Sequence, residues 1–566
     1  MKQLILIFIA NCLAVQLFSQ APYFNWAKGI GGVEDDKGYA IITDGSGNVY
    51  TTGGFRNTVD FDAGTGTFNL TSIGAVDIFI SKMDAAGNFV WAKSMGGIDY
   101  DYGQSLATDA AGNVYLTGPF YDTVDFDPGP GIFNLVSAGN RDLFILKLDA
   151  AGNFIWADRI GNFADDYAKA VITDNSGNIF ITGYFTDTVD FDPGPGTFSL
   201  VSAGVSDIFI LKLNTSGNFV WAKSMGGAFY DMGQSIIMEA SGEFIYSTGQ
   251  FMGTADFDPG TGNFNLTAAG YFDIFVLKID TAGNFVWAKR MGGSGGDDIG
   301  VSVSTDGYGN VYTTGNFLGV ADFDPGPATY TLASVDHDIF ISRLDSSGNF
   351  SWAKRIGSSN WDYGNAICTD AIGNVYTTGY FHLVVDFDPG TGTFNMQSLG
   401  FEDIFISMLD SSGNFVWARR IGGTSGDEGL SITRDASGNI YTTGLYESTV
   451  DFNTDTAAIF NITSSGASDI FVHKLSPFPV GISENNQPYQ FTIFPNPAQE
   501  YFDVTINSVF NKATISVINM LGEKIFENTF LHDKSQRCKI TGLSQGVYFI
   551  KIILDGKEVV RKAVKY

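Results

Sequence analysis

Seven aspartates recur at a fixed distance from seven tryptophans, and this is the first pattern in the chain that could do chemistry. Asp36, Asp101, Asp166, Asp231, Asp298, Asp362 and Asp427 each stand ten residues after a Trp, or eleven in the fifth case. A ring of carboxylates attracts a cation or a polyhydroxy ligand. The same residue type can instead cap its own loop by accepting backbone N–H bonds. Further along each interval lies an Asp-x-Asp pair: Asp60 and Asp62, Asp125 and Asp127, Asp190 and Asp192, Asp256 and Asp258, Asp322 and Asp324, and Asp386 and Asp388, with Asp451 and Asn453 in the seventh interval. Alternate residues of a strand share a face, so two such carboxylates plus loop carbonyls could chelate Ca²⁺. The later ligands of an EF-hand are missing, and turn initiation before Pro-Gly accounts for the second Asp without metal. Aromatic residues cluster around the first set of aspartates: Tyr100, Tyr102, Tyr167, Phe229, Tyr230, Trp361 and Tyr363. Rings beside carboxylates suit sugars, whose C–H faces stack while their hydroxyls donate to the acids; the same rings could pack between structural units. Trp361 is the one Trp of eight outside the regular spacing, and it carries the sharpest expectation of glycan binding.

Catalysis has little to stand on. The four histidines, His337, His382, His473 and His532, fall at unrelated positions of the repeat. There is no His-Glu-x-x-His, no Gly-x-Ser-x-Gly elbow and no phosphate loop. Paired carboxylates can hydrolyse glycosides, but acid/base work needs two carboxyls in unlike environments, and these recur almost identically. The sequence therefore predicts a protein that is not an enzyme, with a polysaccharide-active enzyme as the alternative.

The elements that would position these groups repeat as a sentence of about 65 residues. Trp26, Trp91, Trp156, Trp221, Trp287, Trp352 and Trp417 are spaced by 65, 65, 65, 66, 65 and 65 residues. One copy reads as four strands, GQSLATD, NVYLTGPF, DLFILKLD and NFIWADRI, rich in β-branched and aromatic residues. The turns between the first and second strands and between the third and fourth share the grammar Asp-x-x-Gly-Asn. Asp accepts from N–H groups two residues on, and Gly takes the positive φ of a hairpin. Third and fourth strands are almost continuously apolar, so both faces must be covered, as in stacked sheets. VDFDPGPGTFNL, between the second and third strands, reads as a hairpin around a Pro-Gly tip. Seven such units predict an all-β, seven-bladed β-propeller over residues 22–475. The chain starts with a lone fourth strand, FNWAK (24–28), and the last copy lacks one, so the first segment should close the ring. Acidic hairpins are then expected to crown one face of the disc, with the aspartate ring and the aromatics on the same side.

Bulk composition agrees with many short strands joined by glycine turns: 44% hydrophobic, 14% aromatic, 69 Gly and only 16% charged. A net charge of −29 argues against nucleic acid, whose phosphates need Lys and Arg. From residue 482 onward basic residues outnumber acidic ones, 10 to 8, and this change of sign marks a boundary. Residues 1–20 read as a secretory signal peptide: Lys2, then LILIFIANCLAVQLF, then cleavage near Ser19–Ala21. No other stretch is apolar enough to cross a membrane. Cys368 and Cys538 fall in different expected domains, so disulfides are not the framework.

Asp-x-x-Gly-Asn-Val-Tyr-x-Thr-Gly, then Asp-Ile-Phe-Ile-x-Lys-Leu-Asp and Trp-Ala-Lys-x-x-Gly-Gly, resembles the bacterial β-propeller (SBBP) repeat family over residues 24–475. The fourth copy departs from it, with MEASGEFIYSTG at 238–249. After a linker at 476–489, residues 490–566 read as a small Ig-like β-sandwich. They resemble the type A C-terminal sorting domain of the type IX secretion system of Bacteroidetes, on Phe494-Pro495-Asn496-Pro497, Asn519-Met520-Leu521-Gly522, Gly546-Val547-Tyr548-Phe549 and the basic tail Arg561, Lys562 and Lys565. The resemblance implies recognition by the outer-membrane secretion machinery and release or attachment at the cell surface. The expected function is a non-catalytic binding or adhesion module for a glycan or protein, with a passive surface-layer component as a further alternative. No cofactor is expected beyond the Ca²⁺ that the Asp pairs could take.

Overall fold

The structure, a computed structural model, describes residues 21–453, 458–477, 491–494, 500–506, 510–518, 524–531, 535–539, 546–555 and 557–565. The signal peptide, most of the linker, and Pro495, Asn496, Pro497 and Gly522 lie outside the described residues. The chain divides into two compact units, Met1–Pro477 and Phe478–Tyr566.

Among the described residues the first unit holds six antiparallel four-stranded sheets and one of six strands, in which Tyr167–Thr173 and its three partners run on into the hairpin arms Thr254–Asp256 and Asn265–Thr267. In the second repeat the strands are Ser105–Thr108, Val114–Phe120, Asp142–Leu148 and Phe154–Ile160, hydrogen-bonded in that order. Every residue of Val114–Phe120 and of Asp142–Leu148 is buried, which is why both read as continuous apolar runs. The turn grammar works as its residue types dictate. In the first repeat Asp44 accepts the N–H groups of Ser46 and Asn48, both at 2.9 Å, while Gly47 takes φ 79°.

Buried side chains fill the space between consecutive sheets. Tyr50, Ile78 and Ile80 of the first repeat share a core with Leu116, Phe120, Phe126 and Phe144 of the second. Trp91 then donates its Nε1–H to Ala150 O in the next repeat at 3.3 Å, and Trp221, Trp287 and Trp352 make the equivalent latch. The first strands touch in succession: Lys37–Thr43, Ser105–Thr108, Tyr167–Thr173, Asp231–Met238, Ile299–Thr305, Tyr363–Thr369 and Asp427–Arg434, with the last also touching the first. The seventh sheet takes its fourth strand from the start of the chain. Tyr23–Ile30 lies antiparallel to Asn461–Ser476, with Ile30 opposite Ile470.

The Pro-Gly hairpins correct one expectation. They do not stand as a crown on one face; they fold back over the fourth, outermost strands. Phe68, Phe133, Phe198 and Phe264 of the returning arms pack on Phe89, Phe154, Phe219 and Phe285 at 4.8–5.0 Å. The outgoing arms reach the preceding repeat, as in the bridges Gly96–Asp125 and Gly292–Asp322. The reason is in the alternation of the arm itself. Val124 and Phe126 are wholly buried in the inter-sheet core, so the hairpin is a plug with a polar back. It also covers part of an edge strand that would otherwise offer free N–H and C=O groups.

The second unit holds a three-stranded sheet of Phe491–Phe494, Tyr501–Ile506 and Ser535–Lys539. Its other sheet has four strands, Lys512–Ile518, Lys524–Leu531, Gly546–Leu554 and Lys557–Lys565. Phe502, Val504 and Cys538 from the first sheet share one core with Ile515, Val517, Ile550 and Ile552 from the second. Cys368 and Cys538 are both free thiols.

Candidate functional site

The seven aspartates occupy equivalent places, just before or at the start of the innermost strands, and all are fully buried. Asp101 shows the geometry. Its Oδ2 accepts the Gly97 N–H at 2.7 Å and its Oδ1 the Tyr121 N–H at 3.0 Å, while its own N–H donates to Val76 O of the preceding repeat at 2.9 Å. Asp36, Asp166, Asp231, Asp298, Asp362 and Asp427 hold the same pair of loops together. Both oxygens are engaged by the protein's own donors, which is the arrangement of a loop clamp. Burial pushes the Asp101 carboxyl up to about 7, against the two N–H bonds that favour its charged form.

The first Asp of each pair sits at the neck of its hairpin. Asp60 Oδ1 accepts the N–H groups of Asp62 at 3.0 Å and Phe68 at 2.8 Å; Asp62 Oδ1 in turn accepts the Gly64 N–H at 2.9 Å. At the neck of the other hairpins, Asp125, Asp190, Asp256, Asp322 and Asp386 repeat the first pattern. At the tips, Asp127, Asp192, Asp258, Asp324 and Asp388 each accept the N–H of the glycine two residues on, at 2.8 Å. Asp258 thus holds Gly260, and Asp324 holds Gly326. This geometry gives Asp60 and Asp62, Asp125 and Asp127, Asp190 and Asp192, Asp256 and Asp258, Asp322 and Asp324, and Asp386 and Asp388 the turn-forming role that the sequence offered beside Ca²⁺ ligation. In each case it is Oδ1 that accepts the hairpin's own N–H groups. Among the described residues no group of three or more His, Cys, Asp or Glu side chains could hold a metal.

The aromatics are gathered at the same ends of the innermost strands. Tyr100, Phe229, Tyr230 and Trp361 are exposed, whereas Tyr102, Tyr167 and Tyr363 are half-buried. Tyr102 lies between Tyr100, at 6.5 Å, and Tyr39, at 5.9 Å. Tyr167 stacks on Tyr184 at 5.1 Å under the guanidinium of Arg141, which is 4.6 Å from the ring and paired with Asp165 at 3.1 Å. Tyr363 is stacked between Tyr380 at 5.1 Å and His337 at 5.7 Å. Beside it, the His382 Nδ1–H donates to Trp361 O, and His382 Nε2 lies 3.3 Å from Glu402 Oε2. Trp361 leaves 53% of its surface in solvent.

His337, His382, Glu402, Tyr380 and Arg141 were not among the expected site residues. A signal for them exists in the copies. The residue after the second strand's Phe or Tyr reads Arg56, Tyr121, Thr186, Met252, Leu318, His382 and Glu447; the residue before the third strand's Asp reads Val76, Arg141, Ser206, Phe272, His337, Glu402 and Ser468. Both positions vary freely between neighbours that scarcely change, and the fold brings both to the aromatic ends of the inner strands. In the second unit Tyr548 is buried in the core, while Phe494, Gly546 and Lys562 lie on strands.

Comparison with known proteins identifies both kinds of module. The β-propeller repeat (SBBP) matches residues 286–316 and 416–445, and the secretion system C-terminal sorting domain matches residues 492–566. The chain is 24% identical over 535 residues to an uncharacterized WD repeat-containing protein, L264, of Acanthamoeba polyphaga mimivirus, covering 80% of this chain and 38% of that protein. It is 25% identical over 451 residues to the regulatory protein FlaEY of Caulobacter vibrioides, covering 76% of this chain and 45% of that one. The chain thus spans less than half the length of these curated relatives. A solved structure of a fungal alcohol oxidase of the AA5 family in complex with copper covers 96% of this chain and 100% of its own at 11% identity, with a TM-score of 0.33. The chain carries β-propeller repeats in its first unit and a type IX secretion-system sorting domain in its second, and it is exported through the periplasm to the cell surface or beyond.

Proposed function

We propose that residues 22–475 form a seven-bladed propeller displayed outside the cell as a non-catalytic binding module, and that its ligand is a glycan held at the aromatic ends of the inner strands. The circuit of first strands and the pairing of Tyr23–Ile30 with the seventh sheet support a closed ring. The observation that carries the binding reading is the sector around Trp361. It lies among positions that vary from copy to copy, and it combines an exposed indole, the stacked rings of Tyr363 and Tyr380, and the polar pair His382 and Glu402. Indole and phenol faces accept the apolar faces of sugar rings, and the flanking imidazole and carboxylate supply hydrogen bonds to hydroxyls. The core of the Ig-like second unit serves export and leaves the propeller as the working part.

The test is a glycan array probed with the exported protein and with Trp361→Ala. Binding that disappears in the variant supports the reading. Release of reducing ends from a polysaccharide, lost in Glu402→Gln, would instead favour an enzyme, for which the His382–Glu402 pair is the specific support. Neither binding nor release would leave a passive surface-layer component.

A further inference from the structure

One repeat breaks the pattern far from the aromatic sector. Two residues after the repeated Trp, the copies carry Lys28, Lys93, Lys223, Lys289, Lys354 and Arg419, but the second full copy carries Asp158. In the regular copies the lysine lies across the glycine of the next repeat's turn: a Cβ on Gly152 would meet Lys93 Cε at 3.1 Å, and one on Gly283 would meet Lys223 Cε at 2.9 Å. That turn opens with an aspartate, and the lysine charge acts on it. Lys93 is among the groups holding Asp149 below the usual carboxylate range, after the Asn153 backbone bond. Where Asp158 replaces the lysine, the turn opens with Asn214, whereas Asp84, Asp149, Asp280, Asp345 and Asp410 open the others of this kind. The exchange is coupled: an aspartate at 214 would have faced a second carboxylate.

A cavity of about 350 Å³ lies between the second and third repeats at this place, lined by Trp156, Asp158, Asp192, Ser216 and Phe219. Two polar groups on its wall lack partners among the described residues. Trp156 Nε1 is buried without an acceptor: in four other copies one turn carbonyl takes both the indole N–H and a third-strand Lys or Arg, whereas here Thr215 O takes only Lys147 Nζ, at 2.8 Å, and Trp26 Nε1 is left in the same way. Asp158 accepts no hydrogen bond and has no cation at hand; Arg159 beside it is committed to Asp142 at 2.5 Å. The corresponding cavity of the fifth repeat is lined by Lys354, Asp386 and Asp388, so there a lysine stands where Asp158 stands here, while Arg355 pairs with Asp338 as Arg159 does with Asp142.

We propose that the Asp158 cavity binds the ammonium end of an alkylamine, such as a lysine side chain of a partner protein, in the place the repeat's own lysine vacates. The alkyl chain lies against Trp156 and the ammonium pairs with Asp158. A ligand oxygen beside the chain takes the Trp156 Nε1–H.

The experiment is ligand-observed saturation-transfer NMR on the exported protein with N-acetyl-lysine amide and its neutral isostere N-acetyl-norleucine amide. Saturation transfer is expected to the lysine probe only. Asp158→Asn should weaken it about tenfold or more, the loss of one charge-assisted contact. Asp158→Lys, which restores the residue type of the other copies and so keeps the fold, should abolish it, and the Asp158→Lys/Asn214→Asp double variant should also melt higher than wild type. Trp361→Ala should leave the signal unchanged, which separates this site from the proposed glycan site. Equal transfer to both probes, or an unchanged signal in Asp158→Lys, would overturn the proposal.

Discussion

Asn25 donates its side-chain amide to Ser476 Oγ at 2.7 Å, across 451 positions of sequence. The bond belongs to a ladder in which the first described strand completes the last sheet, with Phe24 packed on Phe460 and His473. His473 is wholly buried, and burial pushes its imidazole down to about 3, so the joint is sealed with a neutral ring. Removing residues 21–30 strips the seventh sheet of its outer strand and exposes the core of Ile421, Phe452, Phe471 and Leu475. The truncated protein should lose the cooperative unfolding transition of the first unit and bind a hydrophobic dye. A synthetic peptide of residues 21–31 should restore the transition. Unchanged melting of the truncated protein would mean that the ladder does not close the ring.

Each clamp aspartate satisfies two loop N–H groups, so its removal has a cost that its surface exposure does not reveal. Asp101→Ala strands the N–H groups of Gly97 and Tyr121 in a buried place. The expected loss is about 2–5 kcal/mol by denaturant titration, with Asp101→Asn intermediate because one acceptor remains. Alanine at Asp62, on an exposed tip, should cost well under half as much.

The same residues set a pH dependence with a definite sign. Burial raises Asp36, Asp101, Asp166, Asp231, Asp298 and Asp427 to about 7 and Asp362 to about 6, from 3.8. Between those limits the folded state binds more protons than the unfolded chain, so stability falls as pH rises. Their contribution is complete below 3.8 and lost by about 7. The turn aspartates act oppositely. The Asn88 side-chain bond holds Asp84 low, and its contribution is lost as pH falls below the ordinary carboxylate range. Melting temperature should therefore rise on acidification from about pH 8 to about pH 5 and drop below about pH 4. A flat profile would show that the clamps stay charged in the folded state.

Period and residue type made the sheets legible in the sequence. Trp91 falls within a fourth strand, the Asp-x-x-Gly-Asn segments turn between strands, and Tyr23–Ile30 supplies the fourth strand that the last copy lacks. The course of the hairpins was not legible, because Val-Asp-Phe-Asp alternates equally well whether its apolar side faces a ligand or an inter-sheet core. Only the neighbouring repeat decides, by leaving a gap that Phe126 fills. The candidate site was half legible. Trp361 and Tyr363 stood out as aromatics, but His337 comes from the preceding copy, and Glu402 meets His382 only across the ladder between the second and third strands.

Calcium should leave the hairpins unmoved. Oδ1 of Asp125 and of Asp127 already accepts the N–H groups of Asp127, Phe133 and Gly129 at 2.8–3.1 Å, so the tip is held by the chain's own donors. Melting curves with excess EDTA and with millimolar Ca²⁺ should superimpose. A ligand that binds only the native state must raise its stability, so a Ca²⁺-dependent upward shift would restore the chelation reading.

The plug is tested by two phenylalanines of one hairpin. Phe126 is wholly buried, 4.8 Å from Phe144 and 5.4 Å from Phe120, in the core shared by the first and second repeats. Phe133, on the returning arm, rests on Phe154 at 4.8 Å but leaves 37% of its surface exposed. If the outgoing arm closes the core and the returning arm only covers the outer strand, Phe126→Ala should cost about 3–5 kcal/mol, as cavity creation does. Phe133→Ala should cost a fraction of that, since much of its surface is already in water. Equal losses would mean that the hairpin acts as a single covering flap, and its acidic tip would then have to be sought in a different role.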